Sequence, residues 1–139
     1  PQTVIRGDIK PISIGERSNI QDGSVVHVTH KSDYSPGYEC IIGSDVTIGH
    51  GCIIHACTIE SLSLIGMGST VLDGAVVESQ VMIGANSLVP PGKKLESGFL
   101  YMGSPCKKIR PLKDSEIKFL EYSASHYVQT KDDFLNSSE

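Results

Sequence analysis

The stretch Ile65-Gly66-Met67-Gly68-Ser69-Thr70-Val71-Leu72-Asp73-Gly74-Ala75-Val76-Val77 repeats one physical pattern every six residues, and the pattern runs on through Ile83, Val89, Leu95 and Tyr101. A second register passes through Ile42, Ile48 and Ile54, and a third through Ile14, Ile20 and Val26. Ile59 lies five residues after Ile54 and six before Ile65, a slip of one residue. Four positions after each aliphatic residue sits a mostly small side chain, as at Ser18, Ser24, Val46, Cys52, Thr58, Ser69, Ala75, Val81 and Ser87. A period of six fits neither the 3.6 of a helix nor plain alternation, but it fits short flat strands joined by tight corners, three sides to a coil. The small positions then call for a narrow interior. Glycines directly after the aliphatic (Gly15, Gly43, Gly49, Gly66, Gly84) read as corners that need room or positive φ.

Working outward, Lys31 to Glu39, with Pro36 and Gly37, breaks the period and reads as an excursion loop, residues 31–39. The repeat resumes at Ile42 and its last coil ends near Tyr101 to Cys106, so residues 1–106 form the β-helix. Lys108 to Pro111 reads as a connector within the C-terminal part, residues 107–139. A helix is expected after it, capped by Asp114 or Ser115, with Ile117, Leu120, Ala124, Tyr127 and Val128 on one apolar face covering the side of its own or a neighbouring coil. After Thr130 a polar tail is expected to fray.

Composition agrees with a thin core. Hydrophobic residues make up 39%, aromatics 6% and Trp is absent, so branched aliphatics must fill the interior. A net charge of −4 with scattered Lys and Arg lacks the basic footprint of a nucleic-acid binder. There is no long apolar run for a membrane and no secretory leader, and Cys40, Cys52, Cys57 and Cys106 form no C-x-x-C pair, so a cytoplasmic protein with free buried thiols is expected. The repeat is already running by Ile5, and a natural N-terminal piece before Pro1 is compatible with that.

Three histidines carry the chemistry. His27 and His55 each follow an aliphatic, Val26 and Ile54, and so occupy the same place in their hexads. They lie 28 residues apart; removing a loop of roughly ten leaves about 18, one coil of three hexads, so the two should stack on one face. His50 sits one place later in the preceding hexad, near a corner. It is poorly placed to complete its own chain's site, but in a threefold assembly that corner can face a neighbour's His27 and His55, giving three imidazoles around zinc with the fourth position open. Iron or cobalt suits the same ligands. The alternatives are ordinary surface histidines, the reading given to His126, or cysteine ligands; Cys52 falls at the small inward position and reads as core. His30 lacks the register support.

The combination Val4-Ile5-Arg6-Gly7-Asp8, Asn19-Ile20-Gln21-Asp22-Gly23, His27, Gly49-His50-Gly51 and His55, with Gly103-Ser104-Pro105 and Arg110, resembles the γ-class carbonic anhydrase family. The resemblance implies a left-handed β-helix with a C-terminal helix, where the general crossover rule favours the right hand. It also implies a homotrimer with interfacial zinc, held by His27 and His55 of one subunit and His50 of the next. Arg6 and Asp8 match residues that pair across the interface, Asp22 follows the site glutamine, and Asn19 and Gln21 match side chains near the zinc, Gln21 orienting hydroxide or bicarbonate. Tyr101 matches a site tyrosine, with Gly103 where the archetype has asparagine. The archetype's glutamate proton shuttle has no equivalent in His30-Lys31-Ser32-Asp33-Tyr34, and Ile9 replaces a further glutamate after Asp8. Three functions therefore compete: a zinc lyase hydrating CO2 to bicarbonate, a metal-binding trimeric scaffold without turnover, and a hexapeptide acyltransferase using coenzyme A.

Overall fold

The computed structural model describes the backbone of residues 2–137 and, along the helix, the side chains of 114–126, 129 and 132. The chain is a left-handed β-helix whose short strands stack into three parallel sheets, the faces of a triangular prism. Face one stacks Val4–Ile5, Val25–His27, Ile53–His55, Thr70–Val71 and Leu88–Val89. Face two stacks Ile12–Ile14, Cys40–Ile42, Thr58–Ile59, Val76–Val77 and Lys94–Leu95. Face three stacks Asn19–Ile20, Thr47–Ile48, Leu64–Ile65, Met82–Ile83 and Phe99–Gly103.

The six-residue period sets this geometry because one aliphatic per side points inward. Ile48, Ile54, Ile59, Ile65, Val71, Val77, Val89 and Leu95 are all fully buried. At the inward corners the small residues are polar where they must tie coils together. The Ser24 hydroxyl donates to Gly49 O (3.0 Å) and accepts from Cys52 N (3.0 Å), and Ser69 donates to Gly84 O (3.1 Å) while accepting from Ser87 N (3.2 Å). No buried side-chain N or O among the described residues lacks a partner. The four cysteines are free and buried, as expected, with Cys52 donating to Gly66 O (3.3 Å).

The slip at Ile59 moves one side chain from its expected place. Cys57, not Thr58, takes the small inward position there, because Ala56 turns the corner at φ 51 and shortens that side. The five glycines that follow aliphatics are there for room and not for φ. A Cβ on Gly66 would lie 2.6 Å from Ala85 N, inside any allowed contact, whereas the positive φ falls two residues later, as at Gly68 (φ +72).

Two elements differ from expectation. Residues read as a connector form the strand Cys106–Pro111, which folds back antiparallel on Phe99–Gly103 and so closes the open edge of the last coil. The helix spans Asp114–Ser137, so residues 131–137 of the stretch read as a fraying tail are helical, and 138–139 lie outside the described residues; no Gly or Pro interrupts the helix, and helix propagation needs no apolar stripe once begun. The helix lies on its own chain, over Asn19–Ile20 and Thr47–Ile48, burying Leu120 and Ala124 and bonding Ser123 Oγ to Thr47 Oγ1 (3.1 Å). Tyr127 and Val128, expected on that face, lie outside the described side chains.

Candidate metal centre

Face one aligns the two in-register histidines. His27 and His55 are direct partners on adjacent strands, because the excursion loop is extruded as a small hairpin (Thr29 with Tyr38, Ser32 with Ser35) and leaves the coil intact. Their ring centroids are 5.3 Å apart at 62°. Both rings point outward from the prism at the end of face one that turns into face two.

Each ring meets a carboxylate. His55 Nδ1 is 2.6 Å from Asp73 Oδ1, and the other Asp73 oxygen accepts a short hydrogen bond from the Thr29 hydroxyl. Partial burial pushes the Asp73 carboxyl up, but the bonds from Thr29 and His55 outweigh it and hold its pKa below the ordinary carboxylate value. His27 Nε2 is 3.0 Å from Asp8 Oδ1, and that bond lowers the Asp8 pKa. Thr29 and Asp73 were not among the residues singled out from the sequence. Asp73 follows His55 by 18 residues, one more than the 17 that separate the stacked pair Ile54 and Val71, so the repeat itself does not mark it.

His50 stands apart from this pair. It occupies the exposed corner between Thr47–Ile48 and Ile53–His55, at the opposite end of face one from His55. The side of the prism between them is on the order of 10 Å long at about 3.3 Å per residue. Beside His50, one rung below, are Asn19 and Gln21: Gln21 N donates to Ile48 O (3.0 Å), and the Gln21 amide donates to Asn19 Oδ1 (3.1 Å), which leaves the Gln21 carbonyl oxygen free to accept. Gln21 lines an open groove of about 290 Å³ beneath the helix, with Gly49, Met67, Phe119 and Ser123. One chain thus carries two separate clusters, His27 with His55 at one edge and His50 with Gln21 and Asn19 at the other. Among the described residues, no three His, Cys, Asp or Glu side chains are arranged to hold a metal within one chain.

These clusters sit on a chain with clear relatives. It is 59% identical over 137 residues to protein YrdA of Escherichia coli, covering 98% of this chain and 74% of that one. It is 44% identical over 124 residues to mitochondrial gamma carbonic anhydrase 1 of Arabidopsis thaliana, covering 89% of this chain and 45% of that protein. A hexapeptide transferase family protein from Anaplasma phagocytophilum superposes with a TM-score of 0.88 at 43% identity, over 96% of this chain and 75% of that one. No protein-family model matches. The chain belongs to the γ-carbonic anhydrase-like family of hexapeptide-repeat proteins.

The remaining residues that the γ-carbonic anhydrase resemblance pointed to fall in different places. Tyr101 is not brought to the histidines: it is 3% exposed, its hydroxyl accepts from Glu96 N (2.8 Å), and it lies in the final coil, three rungs or about 14 Å along the axis from Ile48 at roughly 4.8 Å per rung. Arg6 is exposed just after Val4–Ile5, and Asp22 lies on the exposed corner below Gly51. Asp8 bonds to His27 within this chain, while Arg6 adds only a weak favourable field at its carboxylate. His30 is exposed at the base of the loop, and His126 stacks on Tyr122 (5.7 Å) far from the site.

The donor set fits a metal ion. Two imidazoles 5.3 Å apart are close enough for one nitrogen of each to meet a single ion, where the nitrogens would sit about 3.4 Å apart. His55 already makes the carboxylate contact that metal-ligating histidines commonly show.

Proposed function

We propose that the chain forms a homotrimer in which His27 and His55 of one subunit and His50 of the next hold zinc, and that the site catalyses the reversible hydration of CO2. The observation that carries this reading is the division of the site into two edges of one face, each incomplete and each the complement of the other. The surface between them suits an interface. The outward column Val4, Val25, Ile53 is apolar, with Val4 44% and Ile53 46% exposed.

Zinc, when bound, supplies Lewis acidity that brings a water molecule's pKa to near neutrality. The chain's own residues do the rest. Asp73 holds the proton of His55 Nδ1, Asn19 orients the Gln21 amide, and the Gln21 carbonyl oxygen is left to accept a hydrogen bond from water or bicarbonate. Asp8 now contacts His27 Nε2, and were that nitrogen to hold the metal, Asp8 would be free to turn toward a neighbour.

A second reading, a metal-bound trimeric scaffold without turnover, is favoured by one feature: the segment His30 to Tyr34 has no glutamate to carry the proton away. One experiment separates them, namely metal content and stopped-flow CO2 hydration on the same anaerobically purified sample. Hydration in proportion to bound metal supports the lyase; full occupancy without hydration supports the scaffold. Protein that takes up no metal yet transfers acetyl groups from coenzyme A would sink both.

A further inference from the structure

The His55 ring is fixed by two side chains that no sequence motif picked out, and their chemistry is one-sided. A carboxylate only accepts, so both groups bonded to Asp73 must donate to it: the Thr29 hydroxyl to one oxygen and His55 Nδ1–H to the other. Nδ1 therefore carries the proton of the neutral ring. The lone pair is left on Nε2.

The three residues come from three levels of the fold. Thr29 stands at the root of the excursion hairpin, where its N–H donates to Tyr38 O (3.1 Å) and Tyr38 N–H returns a bond to Thr29 O (3.0 Å). Asp73 sits on the next coil, and its neighbour Gly74 donates to Ala56 O (2.8 Å), directly beside His55. Tyr38 lies against Gly74, where a Cβ would come within 3.0 Å of the ring at a φ of +73. The hairpin thus presses on the corner that presents Asp73 and also supplies Thr29. His27 lacks such a clamp among the described residues, since the carboxylate it meets, Asp8, is half exposed and contacts Nε2.

We infer that Asp73, braced by Thr29 and the excursion hairpin, is a positioning residue that fixes the His55 tautomer and presents Nε2 to the metal ion. This rests on the metal reading above. Partners of this kind are typically worth 10- to 100-fold in metal affinity.

The test uses full-length, metal-free protein labelled with ¹⁵N-histidine, at a pH above the imidazole titration, and long-range ¹H–¹⁵N correlation to read the tautomer of His55. Zinc affinity is measured on the same samples by competition with a chelator. Wild type should hold His55 as Nδ1–H. Asp73→Ala should shift it toward Nε2–H and weaken zinc binding by about 10- to 100-fold, with Asp73→Asn between. Thr29→Val should weaken zinc several-fold while Thr29→Ser restores it, which keeps the test open if Asp73→Ala does not fold. The inference is overturned if wild-type His55 carries its proton on Nε2, or if Asp73→Ala binds zinc as wild type does while His55→Ala loses it. Wild type that takes up no zinc overturns the metal reading instead, and the tautomer comparison then still decides whether Asp73 orients the ring.

Discussion

His50 makes the simplest claim at the scale of single residues, because among the described residues no three metal-binding side chains come together within one chain. His50→Ala should remove zinc as fully as His27→Ala or His55→Ala. Mixing denatured His50→Ala and His27→Ala chains and refolding them together should restore a fraction of the sites, read by metal analysis. Demonstrably mixed trimers without recovered metal would mean that the ligands are not shared. The corner glycines allow a second prediction of a different kind. A methyl group on Gly66 would meet backbone atoms Ala85 N at 2.6 Å and Ile83 O at 2.7 Å, neither of which can move without disturbing the next coil. Gly66→Ala should cost on the order of 1–3 kcal/mol, the usual range for overpacking, measured as a lowered urea midpoint.

Among the elements, the helix is held by the Arg110–Glu116 ion pair at its root and by a buried apolar strip along its length. Glu116 accepts two bonds from the Arg110 guanidinium (2.6 and 2.9 Å) and one from Lys113 N (2.9 Å), and chiefly the Arg110 pairing lowers its pKa from 4.5 to about 2. The folded value lies below the unfolded one, so this contribution is fully present above about pH 4.5 and is lost as pH falls toward 2. Glu116→Gln should therefore be less stable than wild type at neutral pH and converge with it in acid, as followed by urea unfolding at a series of pH values. A constant difference down to pH 2 would refute the assignment. Leu120, 2% exposed beneath the helix, anchors the strip, and Leu120→Ala should cost about 2–5 kcal/mol.

For the whole molecule, the two clusters and the apolar column between them call for a trimer, which light scattering should find at the concentrations where zinc binds. A stable zinc-loaded monomer would refute it. If the assembly turns over CO2, the lack of a glutamate in His30 to Tyr34 leaves proton removal to the buffer. Then kcat should rise with imidazole concentration while kcat/KM stays nearly constant. Much of this molecule could be read without coordinates. The period of six set the coil, the three faces and the inward aliphatics, since each side admits one large apolar residue, and the shared hexad place of His27 and His55 put them on one face. Three things needed the tertiary structure. Cys106–Pro111 carries no alternating pattern and becomes a strand only because the last coil offers an unpaired edge. Asp73 and Thr29 reach His55 because coiling brings residues 18 and 26 positions away to within hydrogen-bond distance, and a carboxylate or hydroxyl outside the hexad core has no periodic signature. Tyr101 kept the repeat's register, yet only the count of stacked coils shows how far along the axis that register had carried it from the histidines.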